Sequence, residues 1–100
     1  MIKIDKILIQ VLLKDEEENY CAKCCKTRNV VERLIEEVPT IRNKTRIIYE
    51  NISSNEIIEK YGTLTPPVII INDKIYSEGH VPILKKLAVS LIELLDKQNN

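Results

Sequence analysis

The spacing of apolar positions changes along the chain, and each change predicts an element. From Ile4 to Leu13 nearly every position is apolar, including Ile7, Leu8, Ile9, Val11, Leu12 and Leu13, as expected of a strand covered on both faces. The polar run KDEEEN, residues 14–19, predicts a loop. From about Cys24 to Glu37 the interval becomes three and four. Val30, Val31, Leu34, Ile35 and Val38 then form one stripe of an amphipathic helix, which Pro39 closes. Residues 45–52 (TRIIYENI) predict a second strand. Ser53 and Glu56 have the spacing of a capping box, in which hydroxyl and carboxylate satisfy each other's backbone amides. They would open a short helix through Ile57 and Ile58, stopped by Gly62. Val68 to Ile71 is a short, wholly apolar strand. Asn72 and Asp73 tolerate a left-handed backbone, so Lys74 to Ser77 would return as the second arm of a hairpin. Pro82 suits the first turn of a last helix, whose buried side carries Leu84, Leu87, Ala88, Leu91, Leu94 and Leu95.

The expected order is β-α-β-α-β-β-α. A right-handed crossover would join two parallel strands, and the hairpin would add an antiparallel half. One four-stranded mixed sheet with helices on both faces follows. The chain has 100 residues, the size of a single domain, 1–100, with one modest core. Without tryptophan or phenylalanine, that core must be mostly aliphatic.

Charge narrows the function classes. Lysine plus arginine number 15, as do aspartate plus glutamate, so no net charge draws the protein to phosphate backbones or acidic membranes. No nucleic acid and no membrane are expected as partners. No stretch approaches the roughly 18 apolar residues of a membrane span. Asp5 interrupts the first apolar run, which reads as a strand and not a leader. These points favour an intracellular, cytoplasmic protein. In that setting a close cysteine pair is more often catalytic or metal-binding than structural.

All 3 cysteines lie between positions 21 and 25, in NYCAKCCKT. Cys21 and Cys24 have C-x-x-C spacing at the junction of a strand and a helix. A helix N-terminus presents unpaired amides and the positive end of the macrodipole, and both lower the pKa of a thiol. Cys21, ahead of the helix and open to solvent, is the expected nucleophile. On a helical wheel Cys24 falls within the arc of Val31, Leu34, Ile35 and Val38, so it should be shielded against the sheet and act as the resolving thiol. Cys25 is rotated off that arc and should point elsewhere. Lys23, Lys26 and Arg28 favour thiolate, whereas Asp15, Glu16, Glu17 and Glu18 oppose it. A zinc site built from the cysteines and His80 is disfavoured, because Cys24 and Cys25 diverge on a helix and a structural site needs four ligands. His80 reads as a solvated residue before the last helix. Cysteines that serve only as small core residues are the bland alternative.

The segment LTPPVIIIND is the second signal. Proline cannot donate to a sheet ladder and belongs at a strand's start, and X–Pro bonds adopt cis at modest cost. The element order, the C-x-x-C after the first strand and Thr65-Pro66-Pro67 before the third together resemble the thioredoxin fold, over nearly the whole chain. The chain is most similar to the small glutaredoxin-like and redox-active-disulfide members. That resemblance implies an α/β three-layer sandwich and a thiol–disulfide oxidoreductase acting through Cys21 and Cys24 without a cofactor. It also implies a cis Pro67 beside the Cys21 sulfur and a substrate side formed by Tyr20, Lys23, Thr65, Pro66 and Pro67. A substrate would lie along Thr65-Pro66 like an added strand. The implied partners of this monomer are a protein or low-molecular-weight disulfide and an electron-donating reductase. The sequence departs from the family pattern in places. Asp73 stands where glycine is usual, Pro66 has no N–H to offer, and Glu78-Gly79-His80 replaces the Gly-Gly pair and polar anchors that hold glutathione. Glutathione and protein thiols therefore both stay open as partners. Two other readings remain: an iron–sulfur cluster or metal held between two protomers, and a redox-inactive binding module.

Overall fold

The computed structural model describes residues 6–14 and 21–98. The start of the first predicted strand, the acidic run Asp15–Glu18 and Tyr20 lie outside the described residues. Strand β1 (Ile7–Leu13) is followed by helix α1 (Ala22–Glu37), helix α2 (Pro39–Lys44), strand β2 (Thr45–Asn51) and helix α3 (Asn55–Tyr61). Strands β3 (Val68–Ile71) and β4 (Lys74–Glu78) and helix α4 (Leu84–Gln98) complete the described chain. The sheet order is β2-β1-β3-β4, with β1 parallel to β2 and antiparallel to β3, and β3 antiparallel to β4.

Strand alternation divides the core in two. Ile7, Ile9, Val11 and Leu13 of β1, with Ile69 and Ile71 of β3, face Val31 and Leu34 of α1, Ile41 of α2 and Leu87, Leu91 and Leu95 of α4. On the other face Leu12, Val68 and Ile70 meet Ile52 and Ile57, with Tyr61 and Leu64 packed at the margin. The result is a three-layer sandwich, α1, α2 and α4 against one face and α3 against the other. Because α3 is short, β1 is only partly covered on its side: Leu8 and Gln10 are half-buried. The Gln10 amide donates to Glu50 Oε1 across the parallel pair at 2.8 Å.

Several boundaries differ from the sequence expectation. Helix α1 begins at Ala22 and not near Cys24, because Cys21 itself caps it. Pro39 follows the end of α1 but is also the first residue of α2, an element the apolar pattern did not announce. A proline has no amide to lose at a first helical position. Ser54, not Ser53, caps α3, its hydroxyl accepting from the Ile57 amide at 3.4 Å. The Ser53 amide is instead drawn to Asn51 Oδ1 at 2.8 Å. Pro82 lies outside the last helix, which starts at Leu84; its first backbone bond runs from the Leu87 amide to the Ile83 carbonyl. The hairpin turn is as expected, with Asn72 and Asp73 at φ 48° and 68°.

Candidate active site

The site assembles where β1 ends. Cys21 is extended (φ −123°, ψ 103°) and N-caps α1. Its carbonyl accepts from the Cys25 amide at 3.1 Å and its sulfur from the Cys24 amide at 3.1 Å. A cap residue in this geometry faces away from the helix while its side chain satisfies one of the first-turn amides. Cys21 and Cys24 are joined in a disulfide, with Cα atoms 5.2 Å apart. The two sulfurs differ in setting. Cys21 is half-buried, whereas Cys24 is only 2% exposed and belongs to the larger core cluster. The Cys24 sulfur also accepts the Lys14 amide, at 3.4 Å, from the end of β1. Cys25 is a free, exposed thiol. The wheel argument that separated Cys24 from Cys25 thus matches the burial of each.

No acidic residue occupies the first turn of α1, so nothing there offsets the positive end of the helix. Of the cations expected to favour thiolate, Arg28 is drawn away: its guanidinium lies over the Tyr49 ring, 5.4 Å from the centroid. Tyr49 has its pKa raised, by burial first and the Glu32 charge second. Lys23 stays at the site's rim, with Nζ 3.5 Å from the Gly79 carbonyl. One turn further, Thr27 is fully buried and donates its hydroxyl to the Lys23 carbonyl at 2.8 Å.

The register of the sheet brings the second segment to the same end. Leu12 pairs with Val68, which continues Pro67 alongside Leu13 and the Lys14 amide. The Pro66–Pro67 bond is cis. Pro67 is buried, Pro66 half-buried and Thr65 exposed. The Pro67 carbonyl accepts from the Gly79 amide at 2.8 Å, and the Thr65 amide donates to Glu78 Oε2 at 2.9 Å. Gly79 takes φ 81°, and a Cβ there would stand 3.5 Å from Thr65 Cγ2. The backbone conformation, more than the space, calls for glycine.

Of the residues expected at the site, Cys21, Cys24, Lys23, Thr65, Pro66 and Pro67 are gathered at one end of the sheet. Tyr20 lies outside the described residues. Sequence reasoning noted Glu78 and Gly79 only as departures from the family's glutathione anchors, and it missed the Lys14 amide and the bonds of Glu78 and Gly79 to the proline segment. A β-bulge in β4 hides those bonds: Ser77 pairs with Ile69 and Ile75 with Ile70, so Tyr76 is the extra residue. That phase shift brings Glu78 opposite Val68, next to the proline segment. Among the described residues no group of three or more histidine, cysteine or acidic side chains could hold a metal ion. No helix among them is long and apolar enough to cross a membrane.

Residues 8–92 match the thioredoxin domain family. The chain belongs to that family. The match spans the cysteine pair, the cis-proline segment and all four strands apart from Ile7 at the start of β1. No curated protein matches the sequence. Among solved structures, the thioredoxin domain superimposes on thioredoxin-2 of the malaria parasite, described as a component of its protein secretion machinery. The TM-score there is 0.66 at 13% identity, covering 89% of this chain and 84% of that one. It is also similar to Deadhead, the germline-specific thioredoxin of Drosophila melanogaster, with TM-score 0.63, 15% identity and 90% and 82% coverage. A Staphylococcus aureus protein of unknown function aligns with TM-score 0.55, 18% identity and 92% and 94% coverage. At these identities the likeness speaks for the fold. A thioredoxin fold carrying a close cysteine pair at a helix N-terminus is a redox-type domain.

Proposed function

We propose that the protein is a thiol–disulfide oxidoreductase that reduces a disulfide substrate through Cys21 and Cys24. The observation that carries this reading is the asymmetry of the pair: one sulfur at the rim on a helix N-terminus, the other enclosed by the core and within bonding distance of the first. In the reduced protein, Cys21 as thiolate attacks one sulfur of the substrate. A Cys21–substrate bond forms, the substrate's own S–S bond breaks, and the departing thiolate takes a proton. Cys24 then loses its proton and attacks the Cys21 sulfur. The Cys21–Cys24 disulfide closes and the second substrate thiolate leaves to be protonated. Two electrons and two protons have passed from the dithiol to the substrate.

The Cys24 and first-turn amides stabilise negative charge on Cys21, and the cis-proline segment borders the substrate side. Lys23, Thr65, Pro66 and Pro67 are the residues we assign to substrate contact. The exchange needs no cofactor. An electron-donating reductase must restore the dithiol, and a reducing compartment such as the cytoplasm suits that cycle.

The test is turnover of a model disulfide with a chemical reductant as electron source. Cys21→Ser should abolish it. Cys24→Ser should stall with the substrate bound to Cys21, visible as an added mass that reductant removes. Cys25→Ser should turn over as the wild type does, since Cys25 is exposed and off the pair. Undiminished turnover in Cys21→Ser would overturn the proposal.

A further inference from the structure

The backbone edge at the same end of the sheet as the disulfide is short of hydrogen-bond donors. Residues 65–67 are fixed there from three sides: by the pairing of Val68 with Leu12, by the Gly79 amide on the Pro67 carbonyl, and by Lys23 on the Gly79 carbonyl. Pro66 and Pro67 have no N–H at all. The remaining amide, that of Thr65, is occupied by the Glu78 carboxylate at 2.9 Å, a charge-assisted bond stronger than a neutral one. The neighbouring Gly79 amide is occupied too. Among the described residues nothing donates to the carbonyls of Thr65 and Pro66. The main chain of this edge therefore offers acceptors and no free N–H.

An extended polypeptide laid along an exposed backbone edge gains affinity through main-chain hydrogen bonds in both directions. On this edge its N–H groups would find carbonyls, but its own carbonyls would face proline rings and a spent amide. A polar group desolvated without a partner costs more than a made bond returns. A compact disulfide whose groups beside the sulfur are donors meets no such penalty.

Resting on the oxidoreductase reading above, we infer that the Cys21–Cys24 dithiol acts on compact, low-molecular-weight disulfides in preference to extended polypeptide ones, and that Glu78 is a positioning residue for this choice because it withdraws the Thr65 amide. The chemistry is the exchange already described: the dithiol closes to Cys21–Cys24 while one substrate disulfide becomes two thiols.

The test is single turnover of the fully reduced protein, without oxygen or added reductant. Two uncharged probes are compared: hydroxyethyl disulfide, and the disulfide-linked dimer of a short unstructured peptide. Each rate is divided by that of the same disulfide with free dithiothreitol, which removes intrinsic reactivity. The normalised rate should favour hydroxyethyl disulfide by roughly tenfold or more, the cost of a stranded carbonyl. Glu78→Ala frees the Thr65 amide and should move the ratio towards the peptide by about two- to tenfold, the worth of one hydrogen bond. Glu78→Gln keeps an oxygen for that amide and should retain the wild-type ratio, so the pair of variants separates the hydrogen bond from the charge. Pro66→Ala, which restores an N–H, should move the ratio as Glu78→Ala does. Equal normalised rates, a peptide preference in the wild type, or the same ratio in Glu78→Ala and Glu78→Gln would overturn the inference while leaving the oxidoreductase standing. Failure to reduce either probe would overturn the oxidoreductase and this inference with it.

Discussion

The two faces of the sheet support the two halves of the site very differently. The Cys24 sulfur is set into the larger cluster, among residues from β1, α1, α2, α4 and β3. The approach to the proline segment rests on the smaller one, where Tyr61 and Leu64 pack partly buried against Leu12, Ile57 and Val68. The chemistry is thus mounted on three helices, whereas the chain leading into the proline segment packs on a single short one. Fold and reactivity on one side, and substrate choice on the other, need not change together.

Truncation on each face should expose that difference. Leu91 is fully enclosed by the larger cluster, and Leu91→Ala should cost about 3–5 kcal/mol, the upper part of the range for such cavities. Ile57 is also buried, at 3% exposed, but in a small cluster near the surface. There the surroundings relax more easily, and Ile57→Ala should cost about 2–3 kcal/mol. Urea unfolding measures both. Native-state hydrogen exchange separates them further: Ile57→Ala should loosen the α3 amides and the Thr65 amide before those of α1. If Ile57→Ala costs as much as Leu91→Ala and opens the whole chain together, the two faces form one unit and the contrast fails.

What could be read from the sequence follows the same division. The apolar stripes of α1 and α4 are period signals and located the helical side of the larger cluster, while the unbroken VIII of β3 marked a strand shared between both clusters. The wheel sorted Cys24 from Cys25 because a long helix makes angle a reliable guide to depth. The start of α1 was less legible. Its stripe begins at Val30, and nothing in the pattern shows that a cysteine serves as the cap. Helix α2 was hidden by Pro39, which ends one helix and begins another. The bond from Thr65 to Glu78 could not be found, since it depends on a bulge in an edge strand whose phase only the folded sheet reveals. The family resemblance supplied the site's outline, and the contacts specific to this chain had to come from the structure.

The cap of α3 offers a smaller test on the lightly supported face. Ser54 holds the Ile57 amide, whereas Ser53 is engaged through its own amide by Asn51. Removing an N-cap hydroxyl costs about 1 kcal/mol. Ser54→Ala should lower stability by about that much and Ser53→Ala by close to nothing. The reverse order would mean that the capping box read from Ser53 and Glu56 is the true one.

The smallest effect should come from the surface pair that joins α3 to the hairpin turn. Lys60 Nζ lies 2.8 Å from Asp73 Oδ1, and both side chains are largely exposed. The hydrogen bond from Lys60, and then its charge, hold the Asp73 carboxyl below its ordinary pKa. The same bond raises Lys60 above its own. A carboxylate with a lowered folded pKa contributes stability above its unfolded pKa and loses it as pH falls through the folded value. A lysine with a raised folded pKa contributes fully below its unfolded pKa and loses it as pH rises through the folded value. The pair therefore acts across the neutral range and fades at both extremes. Asp73→Asn removes the charge while keeping a residue that tolerates the left-handed turn. The difference in Tm from wild type should be small at neutral pH, shrink with added salt as exposed pairs do, and close as pH falls through the range where Asp73 protonates. A gap that widens on acidification would place the effect in the turn's backbone and not in the ion pair, leaving α3 tied to the sheet by its few apolar contacts alone.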